Sequence, residues 1–225
     1  MSLCYMCDRP ATSVEHVPPK CLFPEKKDLS GDQNLRKSLI TVPSCDLHNS
    51  SKSKDDEYLL NCLTISVFSN TVAKNHFDTK ITRSIKRRPQ LINKLTENAN
   101  STLIENFATG EYAEAIAFKI DAERLKSCLV HISHALYFHH FRERWRGTVD
   151  VTANFLFSQD SSQQDVNNKL LLIDELSEKM FKSAESYGEN KDVFAYKVMS
   201  EQDSKGIRMS FYGANKVTAI FNKNG

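Results

Sequence analysis

The chain has no run of 18 or more apolar residues, so no segment of its 225 residues is expected to cross a bilayer as a helix. Charge of one sign is also scarce. Thirty Lys and Arg against 28 Asp and Glu leave a formal +2, too little by itself to mark a polyanion-binding protein, although a local patch can bind phosphate on a near-neutral molecule. The basic-then-apolar layout of a secretory leader is missing, because Cys4 and Cys7 stand where the apolar stretch would lie. A cytoplasmic location is therefore expected. In a reducing compartment six cysteines do not read as three disulfides, and closely spaced pairs read first as metal ligands. Internal repeats and low-complexity segments are lacking too. What remains is an ordinary composition, 40% apolar and 26% charged, able to bury a core.

Turn chemistry is concentrated at the start. Five of the six prolines, at 10, 18, 19, 24 and 43, lie in residues 1–55, where Gly31 sits in a polar loop. A small loop-rich unit of this kind needs a staple. Two knuckles provide one: Cys4-Tyr-Met-Cys7 and Cys45-Asp-Leu-His48 each space two metal-binding side chains by two residues. Two such turns complete a closed tetrahedral site, the arrangement of structural zinc. Chance explains a lone pair well and two bracketing pairs poorly.

From Asp55 onward the pattern changes. Tyr58, Leu59, Cys62, Leu63, Ile65, Val67 and Phe68 suit a buried helix with Asp55, Asp56 and Glu57 in its first turn. A basic run follows, with Lys80, Arg83, Lys86, Arg87 and Arg88, which suits a nucleic-acid backbone and a solvated helix face equally. Residues 90–98 read as a short helix. Residues 113–120 read as a strand, and Asp121 as the N-cap of a helix to about 146, stopped by Gly147. Leu125, Leu129, Ile132 and Leu136 make one apolar stripe on it. Residues 148–157 read as a strand, 164–185 as an amphipathic helix, and 192–199, 206–213 and 216–221 as strands. Strands interleaved with helices indicate an α+β fold.

Between the knuckles lies Val14-Glu15-His16-Val17-Pro18-Pro19, and after the second come Asn49 and Lys52. This frame resembles the zinc-bearing HNH endonucleases. The resemblance covers residues 4–55 and implies a ββα-metal unit, two strands with the Glu-His pair on the first and then a helix, ahead of a mixed helix and strand region, residues 56–225, that supplies substrate or partner contacts. It implies His16 as general base, since a neutral imidazole suits that work at neutral pH. It implies Glu15 and Asn49 as ligands of a catalytic divalent ion, Mg²⁺ or another, because oxygen donors suit a hard cation. Lys52 is expected at a substrate phosphate or in solvent. The implied partner is DNA and the implied activity phosphodiester hydrolysis, a chemistry common in bacterial and phage-related defence. One position departs from the family: its middle Asn falls on Ile40, with Asn34 or another residue of loop 28–38 as the substitute. A catalytically impaired module that binds nucleic acid or a protein partner is the alternative.

Outside this frame the bland readings are preferred. Cys62 and Cys128 read as small core residues, and Cys21 lies in the loop after Pro18-Pro19. His131, His134, His139 and His140 read as structural. In the segment Tyr137–Arg146 the aromatics are expected inward and Arg142, Arg144 and Arg146 outward.

Overall fold

The computed structural model describes residues 2–49, 52–66, 69–88, 90, 99–106, 109–201 and 204–223. The predicted helix at 90–98 lies almost wholly outside them. Helices and strands are mixed, as the α+β reading requires, and no described helix is long and apolar enough to cross a membrane.

The N-terminal region builds around a two-stranded antiparallel sheet, β1 (Ser13–Val17) and β2 (Ile40–Ser44). Side chains alternate across a strand. Glu15 and Val17 therefore share the inner face with Val42 and Ser44, while Val14 and Thr41 lie exposed on the other. A 3₁₀ turn at Asp46–His48 leads to helix α1 (Ser53–Thr64), whose Leu59, Leu60, Cys62 and Leu63 are buried. The chain thus runs strand, strand, helix between residues 13 and 64.

Next come α2 (Thr71–His76) and α3 (Thr82–Arg87), joined by a π-helical turn at Phe77–Ile81 into one continuous helical run. Asn70 caps it, accepting from the Ala73 amide. The expected strand at 113–120 is one half of a hairpin, β3 (Asn100–Asn106) with β4 (Glu111–Ala117). Asp121 caps α4 (Ala122–Phe141) by accepting from the Arg124 amide. The stripe Leu125, Leu129, Ile132 and Leu136 is fully buried, at most 3% exposed. The helix ends at Phe141 rather than near 146, because Arg142 turns left-handed (φ 60°) and returns its amide to the Phe138 carbonyl.

The C-terminal half is an antiparallel sheet of order β5-β9-β8-β7-β6, comprising β5 (Thr148–Ala153), β6 (Ser186–Tyr187), β7 (Phe194–Ser200), β8 (Lys205–Phe211) and β9 (Asn215–Asn222). Its apolar face, with Ile207, Met209, Phe211, Val217, Ala219 and Phe221, meets α4, where Tyr137 lies 4.9 Å from the Phe221 ring. The opposite face is polar and lies under α5 (Gln164–Met180). Arg208, almost fully buried, holds Asp174 and Glu178 at 2.9 and 2.8 Å and donates to Thr218. That recruitment overturns the usual amphipathic placement. Asp174 and Glu178 sit one turn apart toward the sheet, and Leu172, Leu176 and Met180 are left outward.

One cluster of buried apolar side chains extends from Cys4 and Tyr5 through Leu59, Leu129 and Leu136 to Phe221. Residues 1–55 and 56–225 share this core, and the expected boundary at 55 falls inside α1.

Candidate functional site

The first knuckle closes where the Cys4 amide bonds the Arg9 carbonyl and the Met6 amide points at the Cys4 sulfur. The Tyr5 amide ties it to Pro43 of β2, and Tyr5 itself is fully buried. The second closes where the His48 amide bonds the Cys45 carbonyl. The donor atoms of Cys4, Cys7, Cys45 and His48 lie within 4.8 Å of one another. Their separations suit one tetrahedral ion. Metal–sulfur bonds of about 2.3 Å and metal–nitrogen bonds of about 2.0 Å imply S···S edges of about 3.8 Å and S···N edges of about 3.5 Å. The Cys7 and Cys45 sulfurs are 3.7 Å apart, and His48 Nδ1 lies 3.5 and 3.4 Å from the Cys4 and Cys45 sulfurs. This cluster could hold a metal ion with no ligand position left open.

His131 of α4 packs edge-on to the His48 ring at 6.0 Å, and burial, the largest influence, holds it and His134 near pKa 4. Both stay neutral at pH 7, as structural histidines do.

Beside the cluster a cleft of about 410 Å³ runs along the free edge of β1. Because it follows an edge, consecutive residues Val14, Glu15 and His16 all border it, joined by Asn49, Ser53, Asp56 and Glu57. Lys80, Ile81 and Ser84 form the facing wall, and Pro19, Lys20 and Cys21 complete the lining. Asn49 donates from Nδ2 to Ser13 Oγ at 2.8 Å and to the Val14 carbonyl at 3.2 Å. Those bonds fix the amide, so its oxygen can serve as an acceptor or oxygen ligand. His16 is half-buried. Burial lowers its pKa, and the charges of Lys20 and Arg36 lower it further, so the ring is neutral at pH 7.

The structure brings Glu15, His16 and Asn49 to one cleft, but Glu15 is committed elsewhere. It is 7% exposed, pairs with Lys52 through Oε1 and accepts from Ser44 Oγ at 3.4 Å. Lys52 is 8% exposed, so its expected place at a phosphate or in solvent gives way to a buried ion pair. As it stands Glu15 does not fit a hydrated divalent ion, whereas the Asn49 oxygen does. Among the described residues, Cys4, Cys7, Cys45 and His48 are the group in which three or more His, Cys, Asp or Glu donors converge. Ile40 faces the inner side of the sheet opposite Val17 and packs against the core. Asn34 is exposed and accepts from the Arg36 amide, so it does not replace a middle Asn in the cleft.

Sequence reasoning missed Asp56. It borders the cleft, and burial pushes its pKa up to about 6 against the opposing pull of Lys52. Lys80 and Ser84 were also missed as cleft residues, since nothing local in the sequence relates a helix at 71–87 to a strand at 13–17. Cys62 and Cys128 are buried as expected, and Cys21 lines the cleft with its thiol pushed up to about 12 by burial. In Tyr137–Arg146 the aromatics turn inward, and Arg144 is half-buried against Asp8. Comparison with known proteins finds no matching family model, curated protein or solved structure.

Proposed function

We propose that this protein is a cytoplasmic, metal-dependent endonuclease of the HNH type that hydrolyses phosphodiester bonds of DNA. The observation that carries the reading is a neutral, half-buried His16 bordering the same cleft as an oriented Asn49, on a strand–strand–helix unit with a four-donor metal cluster at its side. Zinc is the ion proposed for Cys4, Cys7, Cys45 and His48, where it joins the turn before α1 to the N-terminal knuckle and leaves the chemistry to the cleft.

In this scheme His16 takes the proton of a water molecule as the water oxygen bonds to phosphorus. The phosphorus–oxygen bond on the far side breaks, and the leaving oxygen takes a proton from solvent. A divalent ion, when bound, supplies positive charge at the phosphate. Asn49 would offer its amide oxygen to that ion, and Glu15 would join only if it gave up its pairing with Lys52.

The buried Glu15–Lys52 pair, together with Ile40 packed against the core, favours a second reading in which the unit binds nucleic acid or a protein partner without cutting. Plasmid cleavage in Mg²⁺ or Mn²⁺ separates them. The nuclease reading expects nicked or linear product from the parent and at least about 100-fold less from His16→Ala, the usual scale of general-base loss. A His16→Ala protein that cuts like the parent refutes the assignment. A parent that binds plasmid and never cuts it supports the second reading.

A further inference from the structure

We infer that the cationic row from Lys80 to Arg88 is a track for a nucleic-acid backbone, leading from the cleft out to the surface. The identity of the polymer rests on the nuclease reading above, and the placement of the track rests on geometry.

Lys80 and Ser84 stand four residues apart and both line the cleft. Side chains at that spacing share a helix face, and Arg87 and Arg88 continue it at i+3 and i+4 from Ser84. The row therefore climbs one face of the α2–α3 run, from the cleft wall past its rim. From 80 to 87 it covers about 10 Å at 1.5 Å per residue, or about three base-pair steps of duplex.

The cations on this run are not equivalent. Arg83 is taken by a bidentate pair with Asp28, at 2.9 and 2.7 Å, and does not belong to the track. Lys80 is half-buried and donates to the Cys21 carbonyl at 3.1 Å, which fixes its ammonium at the cleft. Arg87 is exposed and pairs with no acidic side chain among the described residues, whereas Lys86, two residues from Ser84, lies off this face. Arg88, also exposed, touches Glu57 only at 4.0 Å. Exposed Lys20 borders the same cleft, and its charge is felt at His16. Cations thus border the cleft that holds the proposed base and continue from it along the helix. An acidic polypeptide would satisfy the charge alone; a phosphodiester chain also explains why the row starts beside His16 and Asn49.

The test is fluorescence anisotropy of the full chain with a labelled 30-base-pair duplex, without added Mg²⁺, over a series of NaCl concentrations. The variant is Arg87→Gln with Arg88→Gln, and the charge-preserving control is Arg87→Lys with Arg88→Lys. Each phosphate contact contributes about 0.9 to the slope of log affinity against log salt. The double Gln variant is expected to lose about 1.8 from that slope and to bind several-fold more weakly. The control should keep the parent slope, as should Lys169→Gln with Lys182→Gln on and just beyond α5. Equal slopes for the parent and the double Gln variant overturn the track, as does displacement of DNA by polyglutamate at matched charge. A His16→Ala protein that binds like the parent and does not cut leaves both inferences standing. Cleavage that persists with an unchanged salt slope in the Gln variant removes the track alone.

Discussion

Removing the Lys52 ammonium should expose how tightly the cleft and the fold are coupled. Lys52 and Glu15 are each less than 10% exposed, and the other partners of Glu15 among the described residues are neutral hydroxyls, of Ser44 at 3.4 Å and of Tyr5. Lys52→Met keeps most of the stem that packs and deletes the charge, leaving a buried carboxylate without a counter-ion. Breaking a buried pair from one side costs about 3–5 kcal/mol. For a chain of this size that is about 6–20 °C in Tm, at 2–4 °C per kcal/mol. Burial already raises the Glu15 pKa and Lys52 opposes it, so the variant's Glu15 pKa rises further. The sign then follows. A carboxyl whose folded pKa lies above its unfolded value holds its proton more tightly when folded, so its contribution to stability falls as pH rises through that window. The deficit of Lys52→Met against the parent should therefore be largest at pH 7.5 and shrink at pH 5. Adding Glu15→Gln should restore much of the loss, giving a coupling energy in a double-mutant cycle. Thermal melts followed by circular dichroism at the two pH values suffice. A Lys52→Met protein melting within about 2 °C of the parent at pH 7.5, and losing only DNA affinity, would refute the buried pair and return Lys52 to the phosphate.

The metal cluster predicts one zinc per chain by elemental analysis. Removing the ion with a strong chelator, or Cys45→Ser, should lower Tm by about 10 °C or more, since binding energy at such a site is folding energy; a melt unchanged by chelation would exclude a structural ion. His76 is fully buried, with Nδ1 at 3.2 Å from the Tyr212 hydroxyl and with Lys80, Arg36 and Asp28 as its charged neighbours. Burial lowers its pKa to about 4. The unfolded chain binds that proton first, so stability is full above about pH 6.5 and falls toward pH 4, by up to about 3 kcal/mol. His76→Gln should flatten this part of the parent's Tm-against-pH curve, and an unaltered curve would show that His76 is already protonated in the fold.

Much of this chain was legible because the relevant physics is local. The two knuckles declare themselves by spacing, and the structure closes their four donors to within 4.8 Å. Asp121 caps a helix whose Leu125, Leu129, Ile132 and Leu136 fall on one buried stripe, and the C-terminal strands follow the runs that predicted them. Periodicity, caps and turn residues act within a few positions, so a linear reading finds them. It could not weigh Lys52, which becomes a buried partner only once β1 lies against the start of α1. Nor could it foresee that Arg208 would draw the acidic face of α5 to the sheet and turn Leu172, Leu176 and Met180 outward. The sequence by itself determined the four donors that could hold a metal ion, the α+β alternation and the candidate residues around the cleft. The tertiary structure decided how they are placed: burial prices an unpaired charge so heavily that Glu15 and Lys52 must answer each other, whereas His16, on the open edge of β1, and Asn49, at the end of the Asp46–His48 turn, border the cleft.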